Sequence, residues 1–167
     1  MSDLRSAPAP AVGEADHVRG DVDAQLVVFY GDYTCPRCAL AHVRLRTAPL
    51  RLAFRHFAIA AKHPRAVPLA CAAEAAALQG RFWEFHDTLF EDTAHTDDPH
   101  LWARARALGL DLARFEADRR SAPLEALVRA QTRAGMRAGI AETPTLLIDR
   151  TMLAGVPSPQ LIAQLTG

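Results

Sequence analysis

Apolar residues near the start of the chain follow two different periods. Leu26–Tyr30 is an unbroken apolar run and predicts a central strand over Gln25–Tyr30, buried on both faces. Leu50–Phe57 alternates apolar and basic side chains, which is typical of a second strand. Between them, Pro36 to about Thr47 predicts a helix, because proline suits a first helical position. Strand, helix and strand together predict a βαβ unit.

A long helical stretch follows, from about residue 64 to residue 137. Gly80 interrupts it, and Gly109 ends one of its helices. Asp98-Pro99 and Ser121 provide the residue types that begin helices. The sequence therefore predicts an all-helical insertion over about 64–137.

The last part of the chain returns to strands. Thr145–Ile148 and Met152–Leu153 flank Asp149-Arg150, which predicts a two-residue hairpin. Ser158-Pro159 then begins a final helix. The predicted fold class is α/β, in the order βαβ, helical insertion, ββα.

Length and composition indicate one globular domain. The chain has 167 residues, of which 50% are hydrophobic and 23% are charged. Residues 17–167 are predicted to form the domain. Residues 1–16, which include Pro8 and Pro10, are predicted to be a flexible N-terminal segment.

Net charge and the N-terminal sequence indicate which partners and which cellular location to expect. The formal net charge is zero, which argues against a nucleic-acid or an anionic-membrane partner. The first twenty residues have no apolar core of the secretory type, so we expect a cytoplasmic location. Because cytoplasmic thiols are kept reduced, three cysteines there are not expected to form a structural disulfide framework.

The first candidate site is the pair of cysteines in Cys35-Pro36-Arg37-Cys38. Cys35 would lie at a helix N-terminus, where the backbone dipole stabilises a thiolate, and Arg37 would lower its pKa further. The spacing allows Cys35 to act as the nucleophile and Cys38 as the resolving thiol. The alternatives are a buried, inert pair, or a zinc site that adds His42. Zinc is disfavoured because no second Cys-x-x-Cys completes the ligand set, so we predict no metal.

Other chemically active side chains are predicted to be structural. Cys71 lies among small residues and is expected to pack as a small hydrophobe. Trp83 and Trp102 are expected to pack in the core or at an interface, and His86 to cap the Trp83 cluster. The arginines expected to form a solvated face are Arg104, Arg106, Arg114, Arg119 and Arg120.

The second candidate site is Thr143-Pro144-Thr145, immediately before a predicted strand. A proline at the start of a strand can be purely structural, because no ladder hydrogen bond is lost there. Because this proline follows the thiol pair and the helical insertion, a functional role is favoured over a purely structural one.

The chain resembles the thioredoxin-fold oxidoreductases of the bacterial DsbA family, and the likeness covers nearly all of it. Tyr30–Cys38 reads Tyr-Gly-Asp-Tyr-Thr-Cys-Pro-Arg-Cys, similar to the active-site segment of short family members. The other segments that resemble the family, in the same order, are His17–Gly20, Phe54–Phe57, Gln79–Asp87, Leu108–Asp111 and Thr143–Thr145.

The resemblance implies a thioredoxin fold in which Pro144 is cis and lies against the thiol pair. The backbone of Thr143 would then pair with an extended substrate segment, a mode of binding with little sequence preference. The chain departs from the family pattern at three sites, one of them a dipeptide. Phe29 replaces a carboxylate that can take a proton from the inner thiol. Glu142 replaces a glycine, and would oppose Arg37 and reject acidic substrates. Asp149-Arg150 replaces Asn-Gly, so a longer turn is expected.

Together these features predict an enzyme that exchanges disulfides with protein or peptide thiols through Cys35 and Cys38. Its tuning residues would be Pro36, Arg37 and Glu142. No cofactor beyond the Cys35–Cys38 disulfide is expected, and the electron donor or acceptor is unidentified. Two alternatives are a non-catalytic peptide-binding module of this fold and a glutathione-dependent transferase or isomerase. Both are disfavoured by the intact pair of cysteines.

Overall fold

Five strands form one mixed sheet in the order β1-β3-β2-β4-β5. The computed structural model describes residues 7–167, so the first six residues of the predicted flexible segment lie outside it. The strands are β1 His17–Arg19, β2 Leu26–Gly31, β3 Arg51–His56, β4 Thr145–Ile148 and β5 Thr151–Ala154. The helices are α1 Pro36–Arg46, α2 Ala66–Ala77, α3 Phe82–Glu91, α4 Asp98–Ala107, α5 Leu112–Arg119, α6 Ala122–Arg137 and α7 Pro159–Thr166.

The predicted βαβ unit is the centre of the fold. β2 lies in the middle of the sheet, parallel to β3 and antiparallel to β4, and Val27–Tyr30 are almost completely buried. α1 connects β2 to β3. The α/β fold class predicted from the sequence is confirmed, and the strand bounds differ by one residue at each end.

The helical insertion packs around α2. This alanine-rich helix is buried along most of its length and contacts α3, α5 and α6, because small side chains allow close approach between helices. Cys71 lies in it with 3% of its surface exposed, and burial raises the pKa of its thiol to about 11. This thiol is therefore a packing residue, as the sequence predicts.

Residues 10–16 lie against the sheet rather than apart from it. The Arg55 guanidinium in β3 pairs with the Asp16 carboxylate at 2.7 Å, and also donates to the carbonyls of Pro10 and Ala11. The buried hydroxyl of Tyr30 accepts a further hydrogen bond from Arg55. A buried arginine therefore contacts residues 10–16, and the flexibility of the N-terminal segment stays a prediction.

The β4–β5 turn contains two residues, since Ile148 pairs with Thr151. Asp149 alone adopts a positive φ, 54°, a conformation that Asp tolerates better than most residues. The expectation of a longer turn is wrong, because Arg150 is not required to adopt the left-handed conformation.

The arginines of the insertion do not all form a solvated face. The side chain of Arg119 is 3% exposed and pairs with Glu116 and Asp98. Trp102 is 38% exposed, and its indole N–H donates to Glu116 at 2.7 Å. The predicted role of Arg119 is therefore wrong, because its side chain is buried together with its ion pairs. Trp102 lies at the surface, and its packing at an interface stays a prediction.

Within residues 7–167, no helix has the combination of length and apolar character needed to cross a membrane.

Candidate active site

A fixed turn after β2 places Cys35 at the N-terminus of α1. The Asp32 carboxylate accepts hydrogen bonds from the Thr34 N–H at 2.8 Å and the Thr34 hydroxyl at 2.7 Å. The Asp32 carbonyl accepts from the Cys35 N–H at 3.1 Å. Cys35 is the N-cap residue in extended conformation, and Pro36 follows in the first turn. The thiol is therefore held where free helix N–H groups lie close to it.

The two thiols have opposite environments. Cys35 is partly exposed, whereas Cys38, one turn into the helix, is completely buried, and both are free. The Cys38 thiol is the largest factor lowering the pKa of Cys35; burial opposes it, and Thr143 and the N–H groups of Cys38 and Arg37 also lower the value, to about 5. Burial, followed by the hydrogen bond to Cys35, raises the pKa of Cys38 far above the usual thiol range. One thiolate and one thiol therefore coexist near neutral pH.

The side chain of Arg37 pairs with Glu142 rather than with the thiolate. Its guanidinium lies 3.0 Å from the Glu142 carboxylate, and each side chain is about half exposed. Neither charge is among the causes of the lowered pKa of Cys35. The two charges thus neutralise each other in an ion pair. The thiolate is stabilised by the N–H groups of the helix N-terminus and by Cys38.

The opposite wall of the site is the segment before β4. The Thr143–Pro144 peptide bond is cis, and the Thr143 carbonyl lies 3.6 Å from the Cys35 sulfur, which donates to it as a thiol. The Pro144 carbonyl accepts from the Gly155 N–H at 2.8 Å, which ties this wall to the end of β5. The Thr143 N–H has no hydrogen-bond partner among residues 7–167 and remains available to a bound chain.

A groove with a volume of about 210 Å³ lies between these walls. Its lining residues are Asp32, Cys35, Pro36, Arg37, Phe57, Ile59, Lys62, His63, Ala141, Glu142 and Thr143. A larger cavity, about 440 Å³, is lined by Arg65, Cys71 and Arg119 among others and shares no residue with the groove. The groove therefore brings residues 35–37 of the first candidate site and Thr143 of the second to one place, with Glu142 beside them.

Phe29 leaves the inner thiol without a carboxylate from β2. Its ring is completely buried and meets Phe54 edge to face, with 5.2 Å between centroids. His42 follows Cys38 by one helical turn and is also fully buried. Burial, together with the charges of Arg19 and Arg46, lowers the pKa of His42 to about 4, so its ring is neutral.

The potential metal ligands that lie together include only His42 of the predicted zinc alternative. Within residues 7–167 the grouped atoms belong to His42, His86 and Asp87, within 4.8 Å of one another, and no cysteine joins them. The Asp87 carboxylate already accepts two hydrogen bonds from Arg19, at 2.9 and 3.0 Å. The positive charge of Arg19 opposes a bound cation there, so we interpret this cluster as structural.

A buried polar network behind the site was not foreseen from the sequence. The Glu74 carboxylate lies 2.9 Å from His17 and 2.8 Å from His56, and His86 shares a 2.8 Å hydrogen bond with the Tyr33 hydroxyl. Burial acts to raise the pKa of Glu74, but the two histidines lower it to about 2. The one signal in the sequence that relates to the contact of these histidines with Glu74 is that His17 and His56 lie in two segments that resemble the family.

Comparison with known proteins gives a match to a family model and matches to individual curated proteins. A family model described as thioredoxin matches residues 13–165. The protein named Na(+)/H(+) antiporter NhaA 1 of Mycolicibacterium vanbaalenii is 38% identical over 149 residues, which cover 84% of this chain and 24% of that protein. The chain thus spans about a quarter of the length of the curated relatives it matches.

Solved structures share the fold. A thioredoxin-like oxidoreductase from Silicibacter pomeroyi has a TM-score of 0.80 at 22% identity, over 92% of this chain and 91% of that one. The thiol-disulfide exchange protein alpha-DsbA2 from Wolbachia pipientis has a TM-score of 0.79 at 16% identity, over 90% of this chain and 85% of that one. The overall chain path is therefore that of DsbA-like proteins.

Proposed function

Because the chain belongs to the thioredoxin family, we propose that it is a thiol–disulfide oxidoreductase that acts on protein or peptide substrates through Cys35 and Cys38. The observation that carries the proposal is the opposite shift of the two thiol pKa values across one helical turn. A thiolate is the nucleophile of disulfide exchange, and a protonated neighbour is held in reserve for the second step.

The exchange proceeds in two steps. The Cys35 thiolate attacks one sulfur of a substrate disulfide, a Cys35–substrate disulfide forms, and one substrate thiolate leaves and takes up a proton. The Cys38 thiol then loses its proton and attacks the Cys35 sulfur. The Cys35–Cys38 disulfide forms and the second substrate thiolate leaves. The substrate gains two electrons, and the enzyme loses two.

The groove supports this reaction by placing a chain beside the thiol. An extended substrate segment would donate to the Thr143 carbonyl and accept from the Thr143 N–H, as in strand addition. Because these contacts are made to the backbone, they place little restriction on the substrate sequence.

The direction of electron flow depends on the surroundings. A low pKa of Cys35 stabilises the reduced form and makes the disulfide oxidising, so the enzyme rests reduced where thiols are abundant. Each further cycle then needs an external dithiol, which remains unidentified. The cytoplasmic location and the absence of a further cofactor stay predictions. Ion transport is not proposed, because the matched antiporters share only about a quarter of their length with this chain.

The first test is reduction of insulin with dithiothreitol as the electron donor. We expect the wild type to accelerate precipitation of the insulin chains well above the rate with dithiothreitol alone, and Cys71→Ser to be as active, since Cys71 is buried outside the groove. No acceleration, with peptide binding retained, would support the peptide-binding module. Affinity for glutathione without dithiol turnover would support the transferase alternative.

A further inference from the structure

The charged residues that line the groove differ in how their charges are balanced. Across the groove, Arg37 and Glu142 form an ion pair at 3.0 Å and neutralise each other. Elsewhere along its edge lie Lys62 and His63, both exposed and lining the same groove as Cys35. Neither Lys62 nor His63 has a carboxylate within ion-pair distance among residues 7–167. We call Lys62 and His63 the basic rim.

The basic rim is held in a defined position. The backbone N–H groups of Lys62 and His63 both donate to the Ile59 carbonyl at 3.0 Å, so a hydrogen-bonded turn presents them. Ile59 itself packs against the buried Tyr30 cluster. Because the turn is anchored in the core, these two side chains face a bound substrate without reordering the backbone.

A second cavity extends the groove on the same side. It has a volume of about 290 Å³, and it is lined by Thr34 and Arg65 as well as by His63, which lines both spaces. Arg65 is engaged with Asp98 at 3.2 Å and with the Thr96 carbonyl. The polar surface therefore continues past the basic rim, and Lys62 carries a full charge that no carboxylate among residues 7–167 pairs with.

The remaining carboxylate of the groove does not offset this charge effectively. Asp32 is 5% exposed, and one of its oxygens already accepts two hydrogen bonds from Thr34. Glu142 was expected from the sequence to reject acidic substrates, but Arg37 compensates its charge. A substrate segment seated at Thr143 would therefore meet an uncompensated positive charge on one side.

We propose that the preferred substrates are disulfides flanked by acidic residues, recognised by the basic rim of Lys62 and His63. This inference rests on the proposed function, since it names the substrate class of the same site. Charge attraction at an exposed rim raises the rate of association and the selectivity more than the final affinity. Its effect should therefore appear in kcat/KM and decrease with salt.

The test uses two fluorogenic disulfide peptides that are identical except for Glu or Lys on either side of the reacting cysteine. At low ionic strength we expect the wild type to favour the Glu peptide about two- to fivefold in kcat/KM, the range of an exposed charge pair. High salt should bring the ratio near one. Lys62→Glu should invert the preference, and Lys62→Gln should remove it.

The matched control is Arg106→Glu on the exposed face of α4, which changes the net charge equally but lies outside the groove. It should keep the preference of the wild type. An equal change of the ratio in Lys62→Glu and Arg106→Glu, or a wild-type ratio near one at low salt, would overturn the inference while leaving the proposed function in place. Absence of turnover on both peptides would overturn both.

Discussion

Cys35→Ser is expected to reduce disulfide exchange to the uncatalysed rate. Cys35 is the partly exposed thiol whose pKa is lowered to about 5 by Cys38, Thr143 and the helix N–H groups against the effect of burial. A serine hydroxyl in the same place stays protonated and cannot form a disulfide. Turnover of insulin or of a disulfide peptide measures the loss.

Cys38→Ser should have a different consequence at the same site. The first attack by Cys35 still occurs, but no second thiol is present to displace the substrate, so the mixed disulfide accumulates. Mass spectrometry of the intact protein should show one substrate chain attached through Cys35. The control is Cys71→Ser, which replaces a buried thiol with a raised pKa and should turn over normally. Retained turnover in Cys35→Ser, or no adduct in Cys38→Ser, would contradict these roles.

Asp16→Ala is expected to lower the free energy of unfolding by about 3 kcal/mol, near the lower end of the range for breaking a buried ion pair. The two side chains are 9% and 7% exposed for Asp16 and Arg55, so the substitution leaves the guanidinium buried without its carboxylate. In the part of the chain that the structure describes, only the carbonyls of Pro10 and Ala11 and the Tyr30 hydroxyl then remain to bind it. Urea unfolding at neutral pH measures the change.

The pH dependence of this effect has a definite sign. Burial acts to raise the pKa of Asp16, but the hydrogen bond and charge of Arg55 and the Gly13 N–H lower it below 3.8. The ionised carboxylate therefore stabilises the fold above that value, and its contribution is lost as pH falls through the lowered pKa. The difference between Asp16→Ala and wild type should shrink in acid. Glu14→Ala, at an exposed neighbouring residue, should change stability by less than about 0.5 kcal/mol. An equal effect of the two variants would contradict the role of Asp16.

Local patterns were sufficient for most of the fold. The apolar run of β2, Pro36 at the start of α1 and Ser121 at the start of α6 predicted elements within a residue or two, because each signal acts through the adjacent backbone. β1 was not recognised, since three residues at a sheet edge give too short a pattern. The binding of residues 10–16 was also missed, because Asp16 and Arg55 are 39 residues apart in the chain and only the fold brings them together.

At the site, the sequence identified both walls but not the electrostatics between them. Cys35 and Cys38 follow from their spacing, whereas the place of Thr143 against them came from the family resemblance. The ion pair between Arg37 and Glu142 could not be predicted from a local pattern, because the fold brings the two residues together across the groove. The burial of Cys38, which raises its pKa and makes it a hydrogen-bond donor to Cys35, likewise depends on packing that no local pattern specifies.

The most direct test of the central claim is the pH titration of the reduced protein by the far-ultraviolet absorbance of its thiolates, with Cys35→Ser as the reference. A lowered pKa means that the thiolate is present at every pH above it. We expect one transition below neutral pH, with a midpoint of about 5, and we expect it to be missing from Cys35→Ser. A midpoint near the ordinary thiol value of about 8.5 would contradict the assignment of Cys35 as a stabilised nucleophile.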